Sequence, residues 1–191
     1  MKRLQLRTIM LTIFCLLLVG CSDKKFTNVI KQWQGKEICM PGSLHFKSFG
    51  RDTTCNLLLS EPFRVLTYVD PETCTSCQLG LTQWKGFIDL CEQLQLDVGF
   101  LFVINSTDYP EFEYNLKMYD FSYPVIYDAN DDFNKLNSFP KEQVLRTFLL
   151  DAENRVVIIG SPFKNRSIMN LYINTIKQIY PQTNSTVHSD D

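Results

Sequence analysis

The chain has 191 residues, of which 45% are hydrophobic and 13% aromatic, and its 19 Lys+Arg stand against 21 Asp+Glu for a net charge of −2. That balance excludes the basic surface a nucleic-acid binder needs, and the apolar content suits one domain with a substantial core rather than a core-poor disordered chain. Residues 1–20 carry Lys2, Arg3 and Arg7, then an almost unbroken apolar run from Ile9 to Leu18, with small Gly20 ahead of Cys21. This is the order of a cleaved export signal. The run is shorter than the ~20 residues that cross a bilayer as a helix, and Ser22-Asp23-Lys24-Lys25 follows at once, so a permanent membrane span is not expected. Removal of residues 1–20 takes three cations and no anion, leaving a mature chain of about −5.

Leu18-Val19-Gly20-Cys21 resembles the lipobox of bacterial lipoproteins. The resemblance implies that Cys21 becomes the thioether-diacylated first residue of the mature chain. Several acyl chains make a stable anchor where a single one gives marginal binding. The expectation is a domain tethered to a membrane of the cell envelope, facing the periplasm or the exterior. Of seven cysteines, Cys15 leaves with the signal and Cys21 is lipidated, which leaves Cys39, Cys55, Cys74, Cys77 and Cys91. In an oxidising compartment this odd number can form up to two bridges and one remaining thiol.

Residues 21–34 read as a polar tether with a short helix around Asn28 to Trp33. Residues 35–61, with Gly35, Pro41, Gly42, Gly50 and the polar cluster Arg51 to Thr54, read as short strands joined by turns. Phe63 to Val69 is a β-rich run closed by Asp70-Pro71, where proline stops strand pairing. Cys77, Leu81, Trp84, Ile88 and Cys91 then recur at i, i+4, i+7, i+11 and i+14, one apolar stripe of a helix. Val98 to Ile104 is a strand apolar enough to be buried on both faces. Tyr109 to Tyr119 reads as a helix, Tyr123 to Tyr127 as a short strand, Asp131 to Leu136 as a brief helix and Thr147 to Leu150 as a strand. Asp151 to Asn154 turns the chain into Val156 to Ile159 as a hairpin, Ile168 to Tyr180 has helical spacing, and residues 181–191 form a polar tail expected to be disordered. Residues 62–180 therefore define an α/β domain of three layers, a central mixed sheet with helices on both faces.

Cys74-Thr75-Ser76-Cys77 falls where the first strong strand gives way to the first long helix. At a helix N-terminus free N–H groups and the macrodipole favour a thiolate, and a second cysteine three residues on can resolve a mixed disulfide. These residues, with Val65 to Val69 before the pair and Thr147 to Asp151 after it, resemble the thioredoxin superfamily, especially the membrane-anchored thioredoxin-like disulfide reductases of bacterial envelopes. The resemblance spans residues 62–180. It implies the thioredoxin fold, Cys74 as nucleophile, Cys77 as resolving thiol, protein thiols and disulfides as partners, and no cofactor. Three departures stand out: Thr73 replaces the usual Trp, Leu145-Arg146 stands where the family has its cis-proline, and the position of its buried acidic residue falls on Tyr68. Leu145 to Asp151 also resembles the matching peroxiredoxin strand, which implies that Arg146 faces Cys74 and lowers its pKa. Pro71, however, stands where that family has a threonine three residues before the cysteine.

Cys39 and Cys55 enclose 15 residues, and a bridge between them would staple the lead-in for about 2–4 kcal/mol; exchange with Cys74 is the alternative. Cys91 and Trp84, on the helical stripe, read as core. A zinc site is not expected, because Cys39 and Cys55 lack the matching spacing and the only histidines are His45 and His188. The competing function is a redox-inactive binding or scaffolding module on the same fold.

Overall fold

The computed structural model describes residues 26–71 and 79–179. Expectations that concern Cys21, the Cys74 and Cys77 pair, or the tail lie outside the described residues. Seven strands form one mixed sheet: β1 (Phe46–Ser48), β2 (Arg51–Asp52), β3 (Phe63–Val69), β4 (Val98–Ile104), β5 (Val125–Tyr127), β6 (Thr147–Leu150) and β7 (Val156–Ile159), in the order β2-β1-β5-β4-β3-β6-β7. The centre, β3-β4-β5, is parallel; β6 runs antiparallel to β3, β7 to β6 and β1 to β5. The helices are α1 (residues 26–33), α2 (Asn56–Ser60), α3 (Leu81–Gln93), α4 (Tyr109–Met118), α5 (Asp132–Asn137) and α6 (Arg166–Ile179).

Every residue of β3 is buried, as its continuous apolar sequence requires of a central strand covered on both faces. On one face Val65, Phe100, Phe102 and Leu149 pack against Trp84, Phe87 and Cys91 of α3, Phe112 of α4 and Tyr172 of α6. On the other, Leu66, Leu101, Phe148 and Leu150 pack against Trp33 of α1 and Phe133 of α5. Trp84 anchors the first layer, its ring 4.8 Å from Phe163 and 5.1 Å from Phe102, both edge-on. The expected stripe is buried at Leu81, Trp84, Ile88 and Cys91. Leu79 is helical and buried, and Gly80 breaks the helix before Leu81 with φ +60°, a conformation that glycine adopts at no steric cost.

Side-chain carboxylates hold the starts of α4 and α5. The Asp108 carboxylate accepts the Glu111 N–H at 2.9 Å, with Pro110 in the first turn of α4. The Asp128 carboxylate accepts the N–H groups of Asp132 at 2.8 Å and Phe133 at 3.0 Å. Burial pushes the Asp128 carboxyl above the usual carboxylate range, and these two donors pull it back.

α1 is the short helix expected around Asn28 to Trp33, and it docks on the sheet: the Trp33 ring stacks 5.9 Å from Phe139 and lies tilted 5.1 Å from Phe148. The lead-in differs from expectation in two ways. Residues 56–60 form a helix where strands and turns were expected. Its run of three leucines carries no period that separates strand from helix, and tertiary contact decides: Gly99 of β4 lies against the Leu58 carbonyl so closely that a Cβ would collide with it. Finally, Cys39 and Cys55 stand as free thiols rather than as the expected bridge. The backbone of exposed Cys39 is pinned by Asn137, which accepts its N–H at 2.8 Å and donates to its carbonyl at 2.9 Å. Cys55 sits at the start of α2 and packs against the second core.

Candidate functional site

β3 ends at Val69, and the chain passes through Asp70 and Pro71 into residues 72–78 before re-entering at Leu79. Cys74 and Cys77 thus belong by chain order to the connection between the central strand and α3, outside the described residues.

A cavity of about 310 Å³ opens beside the end of β3, lined by Thr67, Tyr68, Val69 and Leu79, by Gln83 and Trp84 of α3, by Gln143, Val144 and Thr147, and by Ser161 and Phe163. Thr67 and Thr147 are directly opposed in the β3–β6 register, and their hydroxyls meet at 3.1 Å, buried. Side chains alternate along a strand, so Thr67 joins Val65 and Val69 on the α3 face while Tyr68 points to the opposite layer. The buried polar residue beneath this end of the sheet is therefore Thr67, a correction to the sequence alignment that set Tyr68 there. The Tyr68 ring lies 4.8 Å from Phe139 and its hydroxyl donates to Asp131. Burial first, and the Asp131 carboxylate second, raise the Tyr68 phenol above its ordinary value, so it is a donor and not a base.

Arg146 is present at the site edge but committed to local partners. Its guanidinium forms an ion pair with Asp70, and it donates from Nε to the Pro140 carbonyl at 2.7 Å and from Nη2 to the Lys141 carbonyl at 3.0 Å. The two paired side chains are only 12% and 14% exposed, so solvent screens the pair less than it would a surface one. The Arg146 carbonyl accepts the Tyr68 N–H at 3.0 Å. One arginine thus ties residues 140–146 to the end of β3, at the position where the resembled family has its cis-proline; no cis peptide bond occurs among the described residues. The sequence singled out Arg146; nothing in it signalled its pairing with Asp70, the Thr67–Thr147 pair, or Tyr68 with Asp131.

Cys91 sits in the core, and burial pushes its thiol up to about 12. Iodoacetamide at pH 8 should label exposed Cys39 first and leave Cys91 intact until denaturant is added. Mass mapping of labelled peptides checks the order, and early labelling of Cys91 would contradict its packing.

No family model matches the sequence, and no curated protein matches it. Among solved structures the chain is similar to the thioredoxin domain of a thiol-disulfide oxidoreductase from Bacteroides vulgatus, with TM-score 0.57 at 10% identity over 75% of this chain and 98% of that one. The fold is thioredoxin-like. The same architecture recurs in a putative protein disulfide isomerase from Bacteroides thetaiotaomicron, TM-score 0.53 at 16% identity over 76% of this chain and 90% of that one. It recurs also in a peroxidoxin from Mycobacterium tuberculosis, TM-score 0.53 at 14% identity over 78% and 98%. At these identities the likeness is one of fold. In this thioredoxin-like fold the mixed sheet has helices on both faces, as the order of elements required.

Proposed function

We propose that this chain is a lipid-anchored thiol-disulfide oxidoreductase of the cell envelope, working through Cys74 and Cys77 on protein disulfides. One observation carries the reading: Cys74-Thr75-Ser76-Cys77 occupies the connection that leaves central strand β3 and leads to α3, within a fold shared with a thiol-disulfide oxidoreductase. In the reaction, the Cys74 thiolate attacks one sulfur of a partner disulfide. A Cys74–partner disulfide forms and the second partner sulfur departs as a thiolate that takes a proton from solvent. The Cys77 thiolate then attacks the Cys74 sulfur and expels the first partner sulfur as a thiol. Two electrons pass to the partner, and Cys74–Cys77 is left as a disulfide. Asp70, four residues before Cys74, would oppose the first thiolate; its ion pair with Arg146 offsets that charge.

The test is a glutathione redox titration of the mature chain with mass readout. Cys74 and Cys77 should lose two protons together at one defined potential, while Cys91 stays reduced. Two thiols that never pair across the titration would favour the scaffolding module. The anchor is tested apart from the chemistry: Cys21→Ser should move the chain from the membrane fraction to the soluble one, or leave it unprocessed. Unchanged fractionation with an unchanged mature N-terminus would refute the lipoprotein reading.

A further inference from the structure

Helix α1 fixes where the chain leaves the domain toward its N-terminus. Its C-terminal end is held at the start of β7, where the Gly35 N–H donates to the Val156 carbonyl at 2.8 Å and the Val156 N–H donates to the Lys36 carbonyl at 2.9 Å. Trp33, buried in the second core, keeps the helix docked. Helical residues 26–33 rise about 12 Å, close to the length of β7. Phe26 thereby comes to lie beside the loop that follows β7, with Lys164 Nζ 5.9 Å from its ring centre. That loop belongs to the cysteine end of the sheet. The Gly160 N–H donates to the Thr147 carbonyl at 2.8 Å, and Thr147 is paired with Thr67 near the close of β3. Ser161 and Phe163 wall the cavity together with Val69 and Leu79, which stand on either side of the connection that carries Cys74 and Cys77. The β6–β7 turn and Asp97 before β4 lie at the other end, since β6 runs antiparallel to β3 and β4 parallel to it. Phe26 is five residues on from Cys21, a span of at most about 18 Å even when fully extended. A lipid on Cys21 therefore leaves too little chain to pass round a domain roughly 40 Å across and hold its far end to the bilayer. We infer that the anchor turns the Cys74 and Cys77 end of the domain toward its own bilayer, so that the exchanging partner is a membrane-held protein whose disulfide stands close to the lipid surface. This rests on the reading of Cys21 as the anchor and of Cys74 and Cys77 as the exchanging pair, and adds to it the source of the disulfide.

The experiment places the isotope-labelled mature chain in phospholipid nanodiscs, after mass spectrometry of its N-terminal residue. Acyl chains are expected on Cys21, and an unmodified Cys21 would overturn the proposal together with the anchor. With a nitroxide on the lipid headgroups, the amide resonances of Phe163 to Asn165 should broaden several-fold more than those of Asp97 and of Asp151 to Arg155. Equal broadening at the two ends, or the reverse order, would overturn the orientation. Reactivity is read with one cystine peptide joined to a lipid through either a short spacer or one of about 60 Å, longer than the domain is across. The reduced Cys74 and Cys77 thiols pass two electrons to the peptide disulfide and become a disulfide themselves. The short-spacer peptide should be reduced several-fold faster, and a faster long-spacer peptide would refute the proposal. Insertion of about twenty Gly and Ser residues after Ser22 adds about 25 Å of flexible reach and should flatten both differences. Differences that survive the insertion would remove the tether as their cause and overturn the proposal. Two unreacted peptides beside an intact broadening gradient would sink the oxidoreductase reading and leave the orientation standing.

Discussion

Cys77→Ser is expected to accumulate a covalent complex between Cys74 and its partner, and Cys74→Ser to lose disulfide exchange down to the rate of free thiols in buffer. The asymmetry follows from the order of steps. Without Cys77 the first displacement still occurs and only its resolution is lost, so the mixed disulfide persists; without Cys74 no first displacement takes place. Non-reducing electrophoresis of envelope extracts, with and without dithiothreitol, separates the two outcomes. Arg146 supplies an internal control. Arg146→Ala leaves Asp70 without its cation and should slow alkylation of Cys74 at pH 7 by about tenfold, the equivalent of one pKa unit. Arg146→Ala with Asp70→Asn should restore much of that rate, because the opposing charge is gone as well. Trapping through Cys77 in a Cys74→Ser chain would reverse the assigned roles. An Arg146→Ala rate unchanged across pH 6 to 9 would remove the arginine from the account and leave the cysteines in it.

Arg64→Ala is expected to destabilise the fold by about 3–5 kcal/mol, enough to lower the melting temperature by roughly 10 °C in a domain of this size. Arg64 lies in β3, 4% exposed, with Leu150 and Gly99 opposite it on the neighbouring strands. Its Nη1 donates to the carbonyls of Leu59 at 2.8 Å and Glu61 at 3.0 Å, and its Nη2 to the carbonyl of Asp151. One side chain therefore closes the end of α2 and the β6–β7 turn over the sheet. Burial pushes its guanidinium below the ordinary value, whereas Asp151 and Glu153 pull it up, so the ion carries a desolvation cost that Ala would relieve. Against that relief stand three carbonyls stripped of their donor, at about 1–3 kcal/mol each, and an unfilled space. The second group is larger. Arg64→Lys keeps the charge but offers a point rather than a fork and should fall between. Urea denaturation measures all three chains, and a loss under about 1 kcal/mol for Arg64→Ala would mean that water takes over the carbonyls.

The strongly apolar segments were legible because their patterns leave one solution. The runs Phe63 to Val69, Val98 to Ile104, Thr147 to Leu150 and Val156 to Ile159 are strands at the expected bounds, being too short and too β-branched for helices. The stripe through Leu81, Trp84, Ile88 and Cys91 could only be a helix facing the sheet. Their alternation then implied parallel pairing at the centre and an antiparallel hairpin at the edge, hence the layer order. The spacing of Cys74 and Cys77 and their place between strand and helix were likewise written in the chain. Tertiary structure alone decided what depends on register or on distant neighbours. Because β3 is buried on both faces, its sequence has no polar side to fix parity, and a shift of one residue exchanges the two layers. That is why Thr67 rather than Tyr68 lies on the α3 face. The same holds for Arg146 and Asp70, and for Asn137 and Cys39, joined across 76 and 98 residues of chain. Local propensity has no knowledge of such partners; only the closed sheet brings them within hydrogen-bond reach, and the Arg146–Asp70 pair sets the charge at the edge of the site.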